Sequence, residues 1–218
     1  MIPSSTASKA PASGGATPAL EVENLLCAYD GVEALRGITL RVAAGRFLGL
    51  VGPNGSGKTT LLRALAGVLK PKQGAVRILG HPLEALSRRD LARAVAVVPQ
   101  VLETTFAFTV EEMVAMGRYP HLGRFQAQGV ADRTAIEQAL SDTGLAHLRE
   151  RLITEISGGE RQMAVIARAL AQQASILLLD EPTSQLDLAH QRDVMHLLVR
   201  LNRERGNTMV TVSYTHLR

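Results

Sequence analysis

Little in these 218 residues ties the chain to an oxidising or intramembrane setting. Cys27 is the only cysteine, which excludes an intramolecular disulfide, suits a reducing cytosol and predicts a small buried residue of the first strand. No run of ~18 uninterrupted apolar residues occurs, so nothing in the sequence reads as a membrane-spanning helix. If a membrane is involved, another chain provides it. Residues 1–19 are rich in Ser, Ala, Pro, Thr and Gly and hold neither an apolar signal core nor an arginine-rich amphipathic pattern, so they are read as a disordered extension. No internal repeat is found. Charge does not single out a partner either. Lys and Arg number 24 against 20 Asp and Glu, a basic balance that fits nucleotide phosphates, anionic headgroups or nucleic acid equally.

What is present is enough apolar content, 46%, for one sizeable core. Strand-like text at 20–28, 38–42 and 46–51 is separated by the turn signals Asp30-Gly31 and Ala44-Gly45, which predicts an N-terminal antiparallel β layer. The run 47–51 then enters a glycine-rich loop, and 58–68 carries the helical spacing of Leu61, Leu62, Leu65 and Val68. Strand, loop and helix in that order open a parallel α/β core. Further strands are expected at 75–79, 95–98, 176–179 and 208–212, the last three as unbroken apolar runs suited to strands covered on both faces. The block 109–151 reads as helical, with a capping box at Thr109 and Glu112 and a polar break at 120–129. The predicted fold is therefore an α/β P-loop NTPase core, its sheet mostly parallel, with an N-terminal antiparallel β layer and a helical subdomain inserted at about 101–165.

Gly52, Pro53, Asn54, Gly55, Ser56, Gly57, Lys58 and Thr59 fit the P-loop pattern GxxxxGK[ST] in the strand-to-helix context that it requires. Glycines let backbone N–H groups turn inward around phosphates, and the helix N-terminus favours an anion. Lys58 is placed to reach the β- and γ-phosphates and the Thr59 hydroxyl to coordinate Mg²⁺, with Thr60 completing the ATP-binding segment. A second site residue pair closes the apolar run 176–179. Asp180, at a core strand's C-terminal end, is expected to hold the Mg²⁺ water shell, and Glu181 to act as catalytic base on the attacking water. A third motif, Ser157, Gly158, Gly159 and Glu160, has capping-box spacing before the apolar helix pattern of 163–170. Its double glycine clears side chains from a helix N-terminus and leaves N–H groups open to an anion. A second phosphate site in one chain is redundant unless it serves a neighbour's nucleotide.

Taken together with Gln100 and the stretch Ser184-Gln185-Leu186-Asp187, these motifs resemble the ABC ATPase domain over about 20–211, in the family order of Walker A, Q-loop, signature, Walker B and D-loop. The resemblance implies a head-to-tail dimer in which the signature residues 157–160 of one subunit cap ATP held by the P-loop of the other. It implies that Tyr29 stacks on adenine, that Gln100 senses Mg²⁺ and the γ-phosphate as a catalytic group alongside Glu181 and Lys58, and that Asp187 lies at the subunit interface. The segment 109–121, ending in Arg118, Tyr119, Pro120 and His121, is similar to ATPases of iron-siderophore, haem and cobalamin importers, as is Asp187-Leu188-Ala189-His190-Gln191. That similarity implies transmembrane permease subunits docking on this surface, a substrate-binding protein acting indirectly, and a place on the cytoplasmic face of the membrane. The other reading of Arg118, Tyr119 and His121 is a helix end followed by a solvated loop. A soluble ABC ATPase of translation or DNA repair is the alternative function, but the second ATPase domain, coiled-coil or zinc insertions usual in that class are missing, and no nucleic-acid partner is expected. A small-molecule P-loop kinase has no use for the signature.

The C-terminal text departs from the family pattern. A switch histidine is expected after the Val-Ser-Xaa run, at position 215, where Thr215 stands. His216 is one residue late, on the opposite face of an extended segment. The string Val212-Ser213-Tyr214-Thr215-His216-Leu217-Arg218 can be written GTC TCT TAT ACA CAT CTC CGA, which resembles a transposon-end sequencing adapter read in frame. The expectation is that authentic protein ends at about Thr211 and that 212–218 is a non-native tail on a C-terminally truncated domain. Resequencing the source locus is expected to show the frame leaving this string there; an uninterrupted genomic frame through Arg218 to a natural stop overturns it.

Overall fold

The computed structural model describes residues 17–29, 31–100, 107–184 and 186–213. Residues 1–16, Asp30, Gln185, Thr215 and His216 lie outside them, so most of the extension, the first turn's aspartate, one D-loop position and the switch position are not described; at the end of the extension Ala19, expected to be disordered, is buried and its N–H donates to Val42 O at 2.8 Å. Among the described residues the strands are β1 (Leu20–Tyr29), β2 (Val32–Val42), β3 (Phe47–Val51), β4 (Gln73–Ile78), β5 (His81–Pro82), β6 (Val95–Val98), β7 (Ile176–Asp180) and β8 (Thr208–Ser213). The α-helices are α1 (Lys58–Leu65), α2 (Arg88–Ala94), α3 (Val110–Ala115), α4 (Val130–Asp142), α5 (Gly158–Ala171) and α6 (Leu188–Arg205).

Two sheets form. One is antiparallel in the order β2-β1-β4-β5, and the other is parallel in the order β3-β8-β7-β6. Four of the five residues of β7 are buried, which explains an unbroken Ile-Leu-Leu-Leu run: both faces of this strand are covered. Because alternate side chains point to opposite faces, β7 feeds two cores. Ile176 and Leu178 pack with β1, β4, α1 and Val210, while Leu177 and Leu179 pack with α3, α5, α6 and Met209. Cys27 is fully buried in the first of these.

The helical block is α3, a 3₁₀ turn at Met116–Arg118 before the polar break, α4, and two further 3₁₀ turns at Ala146–Leu148 and Ile153–Glu155, and the expected capping box is present. Thr109 Oγ1 accepts from Glu112 N at 3.1 Å, and Thr109 N donates to the Glu112 carboxylate at 2.8 Å. Several boundaries differ from the pattern. Helix α1 stops at Leu65 rather than at 68, since Gly67 adopts φ +69°, a left-handed turn that ends helices. Strand β2 starts at Val32 instead of 38, paired to β1 through irregular register. Helix α2, capped by Ser87 accepting from Asp90 N, and helix α6 are additions to the expected elements.

A larger correction concerns Arg118. As the end of an apolar helix it reads as solvated or as part of a docking surface, yet it is 4% exposed. Its Nε donates to Asp132 Oδ1 at 2.9 Å, and its Nη1 donates to Ala171 O at 2.6 Å and Gln173 Oε1 at 2.9 Å. The Gly129 N–H, donating to Asp132 Oδ2 at 2.9 Å, and then Arg118 hold the Asp132 carboxyl below the usual aspartate range. His121 Nε2 meets Gln172 O at 2.8 Å, while Tyr119 remains 64% exposed. This buried pair generates a prediction. A carboxylate whose folded pKa is depressed adds stability above its unfolded pKa, and that stability is lost as pH falls through the folded value. Urea-unfolding stability is therefore expected to decline below about pH 4. Asp132→Ala should cost about 3 kcal/mol at neutral pH and make that decline shallower.

Candidate functional site

Because β3 and β7 flank β8 in parallel register, their C-terminal ends come out level at one sheet edge. Val51 pairs with Ser213 and Asp180 with Val212. From that edge β3 runs into the loop 52–57, and β7 runs into Glu181. Gly57 adopts φ +88°, and a Cβ there would lie 2.6 Å from both Ala34 O and Leu35 Cδ2, so the turn into α1 requires glycine on two counts. Helix α1 begins without a side-chain cap, which leaves its first N–H groups for an anion. Lys58, 8% exposed, folds back over the loop: Nζ donates to Gly52 O and Pro53 O at 2.7 Å each and to Ser56 Oγ at 3.1 Å. Residues Gly52, Pro53, Asn54, Gly55, Ser56, Gly57, Thr59 and Thr60 thus share one turn and helix start.

Across the edge, Thr59 Oγ1 donates to Asp180 Oδ1 at 3.2 Å. Burial pushes the Asp180 carboxyl up, opposed by the Thr59 hydroxyl and by Arg63 and Lys58. A hydroxyl and a carboxylate side by side, both hard oxygen donors, fit Mg²⁺, which prefers few protein ligands and retained waters. Glu181 is 6% exposed and sits at φ +47°, a backbone cost of about 1–3 kcal/mol. Burial first, then the Asp180 charge, push its carboxyl up. Gln100 Nε2 donates to Glu181 Oε2 at 2.7 Å, whereas Glu181 Oε1 is buried without a hydrogen-bond partner among the described residues. An orphaned carboxylate oxygen is costly, and Glu181 is one of the residues lining a cavity of about 440 Å³ together with Asn54, Gln100, Thr183, Gln191 and Ser213. The arrangement offers a base with one oxygen fixed and the other ready for a water. Tyr29 ends β1 at 38% exposure, its hydroxyl 3.5 Å from Arg63 Nη1 of α1.

The other expected site residues lie in a separate group. Ser157 caps α5, its Oγ accepting from Glu160 N at 3.2 Å while its own N–H donates to the Glu160 carboxylate at 2.8 Å. Those Ser157 bonds hold the Glu160 carboxyl down. A Cβ on Gly158 would meet nothing within 4 Å. None of 157–160 lines the cavity beside Glu181. Asp187 is the N-cap of α6, accepting from His190 N at 2.9 Å. Two features were missed by reading the sequence: Gln191 lines the Glu181 cavity and donates to Leu186 O at 2.9 Å, and His190 rests on Gly159. The text Ala189-His190-Gln191 was the available signal, but helical spacing alone does not show what those side chains touch. A larger groove of about 750 Å³, with Gly67, Leu91, Val97, Tyr119, Arg168 and Gln172 in its walls, contains neither Asp180 nor Glu181 and is not the chemical site.

With this geometry in place, comparison with known proteins is direct. The ABC transporter family model matches residues 35–184. The chain is 45% identical over 194 residues to the uncharacterized ABC transporter ATP-binding protein YvrA of Bacillus subtilis, covering 88% of this chain and 44% of that protein. It is 40% identical over 193 residues to the iron(3+)-hydroxamate import ATP-binding protein FhuC of the same organism, covering 88% and 72%. It is 44% identical over 172 residues to the cobalamin import ATP-binding protein BtuD of Halobacterium salinarum, covering 79% and 43%. The chain thus spans less than half the length of YvrA and BtuD. Among solved structures, an inward-facing ABC transporter described as metal-chelate type aligns with TM-score 0.79 at 36% identity, over 90% of this chain and 73% of that one. The dimeric cassette MJ0796 aligns with TM-score 0.78 at 29% identity, over 89% and 87%. With its P-loop at 52–59, its Asp180-Glu181 pair and a family match over more than half its length, the chain belongs to the ATP-binding proteins of the ABC transporter family.

Proposed function

We propose that this chain binds Mg-ATP at 52–60 and hydrolyses it in a head-to-tail pair, as the energy-supplying subunit of an importer for a metal chelate such as an iron-siderophore, haem or cobalamin. The observation that carries the hydrolytic reading is Glu181: buried, strained, fixed through one oxygen by Gln100 and unpartnered at the other, beside Thr59 and Asp180. Bound Mg²⁺ would neutralise charge on the β- and γ-phosphates. Lys58 and the P-loop N–H groups hold those phosphates, Thr59 and Asp180 supply the oxygens for the metal, and Tyr29 offers a ring to adenine. Glu181 accepts a proton from the attacking water, which its raised carboxyl suits it to do, and Gln100 keeps it in line.

Pairing follows from what the signature turn lacks. Gly158 has open space on its Cβ side, and the turn 157–160 lies outside the Glu181 cavity, which supports its serving a neighbour's nucleotide; MJ0796 is a dimeric cassette of the same fold. No helix among the described residues is long and apolar enough to cross a membrane, so permease subunits provide that part. The groove of about 750 Å³ beside Tyr119 lies where the core meets the helical block and is the surface assigned to a permease segment in this reading. FhuC and BtuD are named for hydroxamate and cobalamin import, which supports the cargo class; an importer of that class implies a substrate-binding protein acting indirectly and a place for this chain on the cytoplasmic face. No observation favours the soluble translation or repair reading.

Two measurements test the reading. Lys58→Ala should weaken Mg-ATP binding roughly 10- to 100-fold, because charge-assisted contacts to phosphate are lost; equal affinity in a nucleotide titration overturns the assignment. Glu181→Gln keeps the Gln100 contact and removes the base. It should bind ATP normally, lose turnover by about 10²–10⁴-fold and accumulate as a dimer with ATP in light scattering. A monomer under those conditions argues against the head-to-tail pair.

A further inference from the structure

Gly159 is buried in the first turn of α5, and the space where its Cβ would stand is already filled from within the same chain. A Cβ built there lies 2.5 Å from His190 Cδ2, 2.9 Å from Nε2 and 3.0 Å from Cγ, against an ordinary carbon contact of about 3.5–4.0 Å. The ring is not loose. Its Nδ1 lies 2.9 Å from both carboxylate oxygens of Asp187, and the same carboxylate accepts from His190 N at 2.9 Å, so one aspartate caps α6 and fixes the ring. Gly158, next door, has open space on its Cβ side. The two glycines of the signature are therefore different: one is open to solvent, the other is closed by histidine. Gln191, the next residue of α6, reaches Leu186 O and lines the Glu181 cavity.

We propose that His190 is a positioning residue, a spacer held by Asp187 that sets how closely the signature turn approaches the first turn of α6, and that Gly159 must be glycine because this ring occupies its side-chain space. In the head-to-tail reading, on which this rests, 157–160 meets the neighbour's ATP while the start of α6 braces the chain's own Glu181 cavity. His190 then ties the two sites of one subunit together.

The sign of a substitution tests the steric half without nucleotide. Alanine is the better helix former, so Gly159→Ala should raise thermal stability wherever the ring is absent. In the unliganded chain Gly159→Ala is expected to lower Tm by about 2–4 °C, and the same change in a His190→Ala background is expected to raise it. The same sign in both backgrounds overturns the packing argument, whatever happens to activity. The positioning half is read in a Glu181→Gln background. Adding His190→Ala should raise the ATP concentration for half-maximal dimerisation about 5-fold or more, with ATP affinity of the separate subunit unchanged. An unaltered dimerisation midpoint overturns the positioning role. Failure of Glu181→Gln alone to dimerise instead counts against the head-to-tail reading, and the Tm comparison still decides the placement of the ring.

Discussion

The structure depends on one pairing, β8 lying between β3 and β7 with all three strands parallel. Val210 is matched to Leu48 on one side and to Leu178 on the other, and that register does two things at once. It sends alternate residues of β7 into the two cores, and it brings the P-loop and Asp180 out at the same height, within reach of the 3.2 Å contact from Thr59. A shift of one residue would turn Asp180 into a core and bring Leu179 to the edge. Apolar burial therefore enforces the register, and the register assembles the site. The chemistry of Thr59 and Asp180, 121 positions apart, is a by-product of where leucines must go.

Glu181 shows the opposite relation, in which the site opposes the fold. A non-glycine residue at φ +47°, buried, beside another carboxylate and with one oxygen unsatisfied, is unfavourable on each count. It persists because its neighbours leave no alternative: its N–H donates to Val212 O at 3.2 Å, Ser184 Oγ donates to its carbonyl at 3.2 Å, and Gln100 holds the carboxylate. The last of these ends the run that follows β6, so the group steadying Glu181 stands where the core leads toward the helical block. That connection is how nucleotide state at the edge and the position of the helices can influence each other in the proposed function.

What could be read from the sequence was what short spacing determines. The P-loop, the apolar run closing on Asp180-Glu181, and the capping boxes at Thr109 and Ser157 are each complete within a few residues, and each lies where its spacing predicted. What could not be read depends on partners far along the chain. Arg118 looks like a solvated helix end because nothing near it announces Asp132 from α4 or the carbonyl of Ala171, 53 positions away. His190 looks like a polar face of α6 until the signature turn is laid against it. The early start of β2 was missed because its register with β1 is irregular, whereas the helix end at Leu65 had a local signal in Gly67, whose left-handed turn the apolar spacing through Val68 concealed.

Those long-range contacts converge on α5. At its C-terminal end Arg118 bonds Ala171 O, His121 meets Gln172 O, and Gly117 approaches so closely that a Cβ there would stand 2.2 Å from Arg168 O. Gln172 Nε2 in turn donates to Ala92 O and to Val95 O of the core. Arg89 and Arg93 of α2 donate to the carbonyls of Pro120 and Leu122, so the turn beside the large groove is held from the core as well. At the other end the Ser157 cap and the His190 ring fix the first turn. This 14-residue helix of about 21 Å is gripped at both ends and buried on all sides at 164–167 and 169–171. In the proposed function, a permease segment seated in the groove beside Tyr119 would act on the signature turn through this helix, since the contacts at one end border that groove and those at the other end hold the turn.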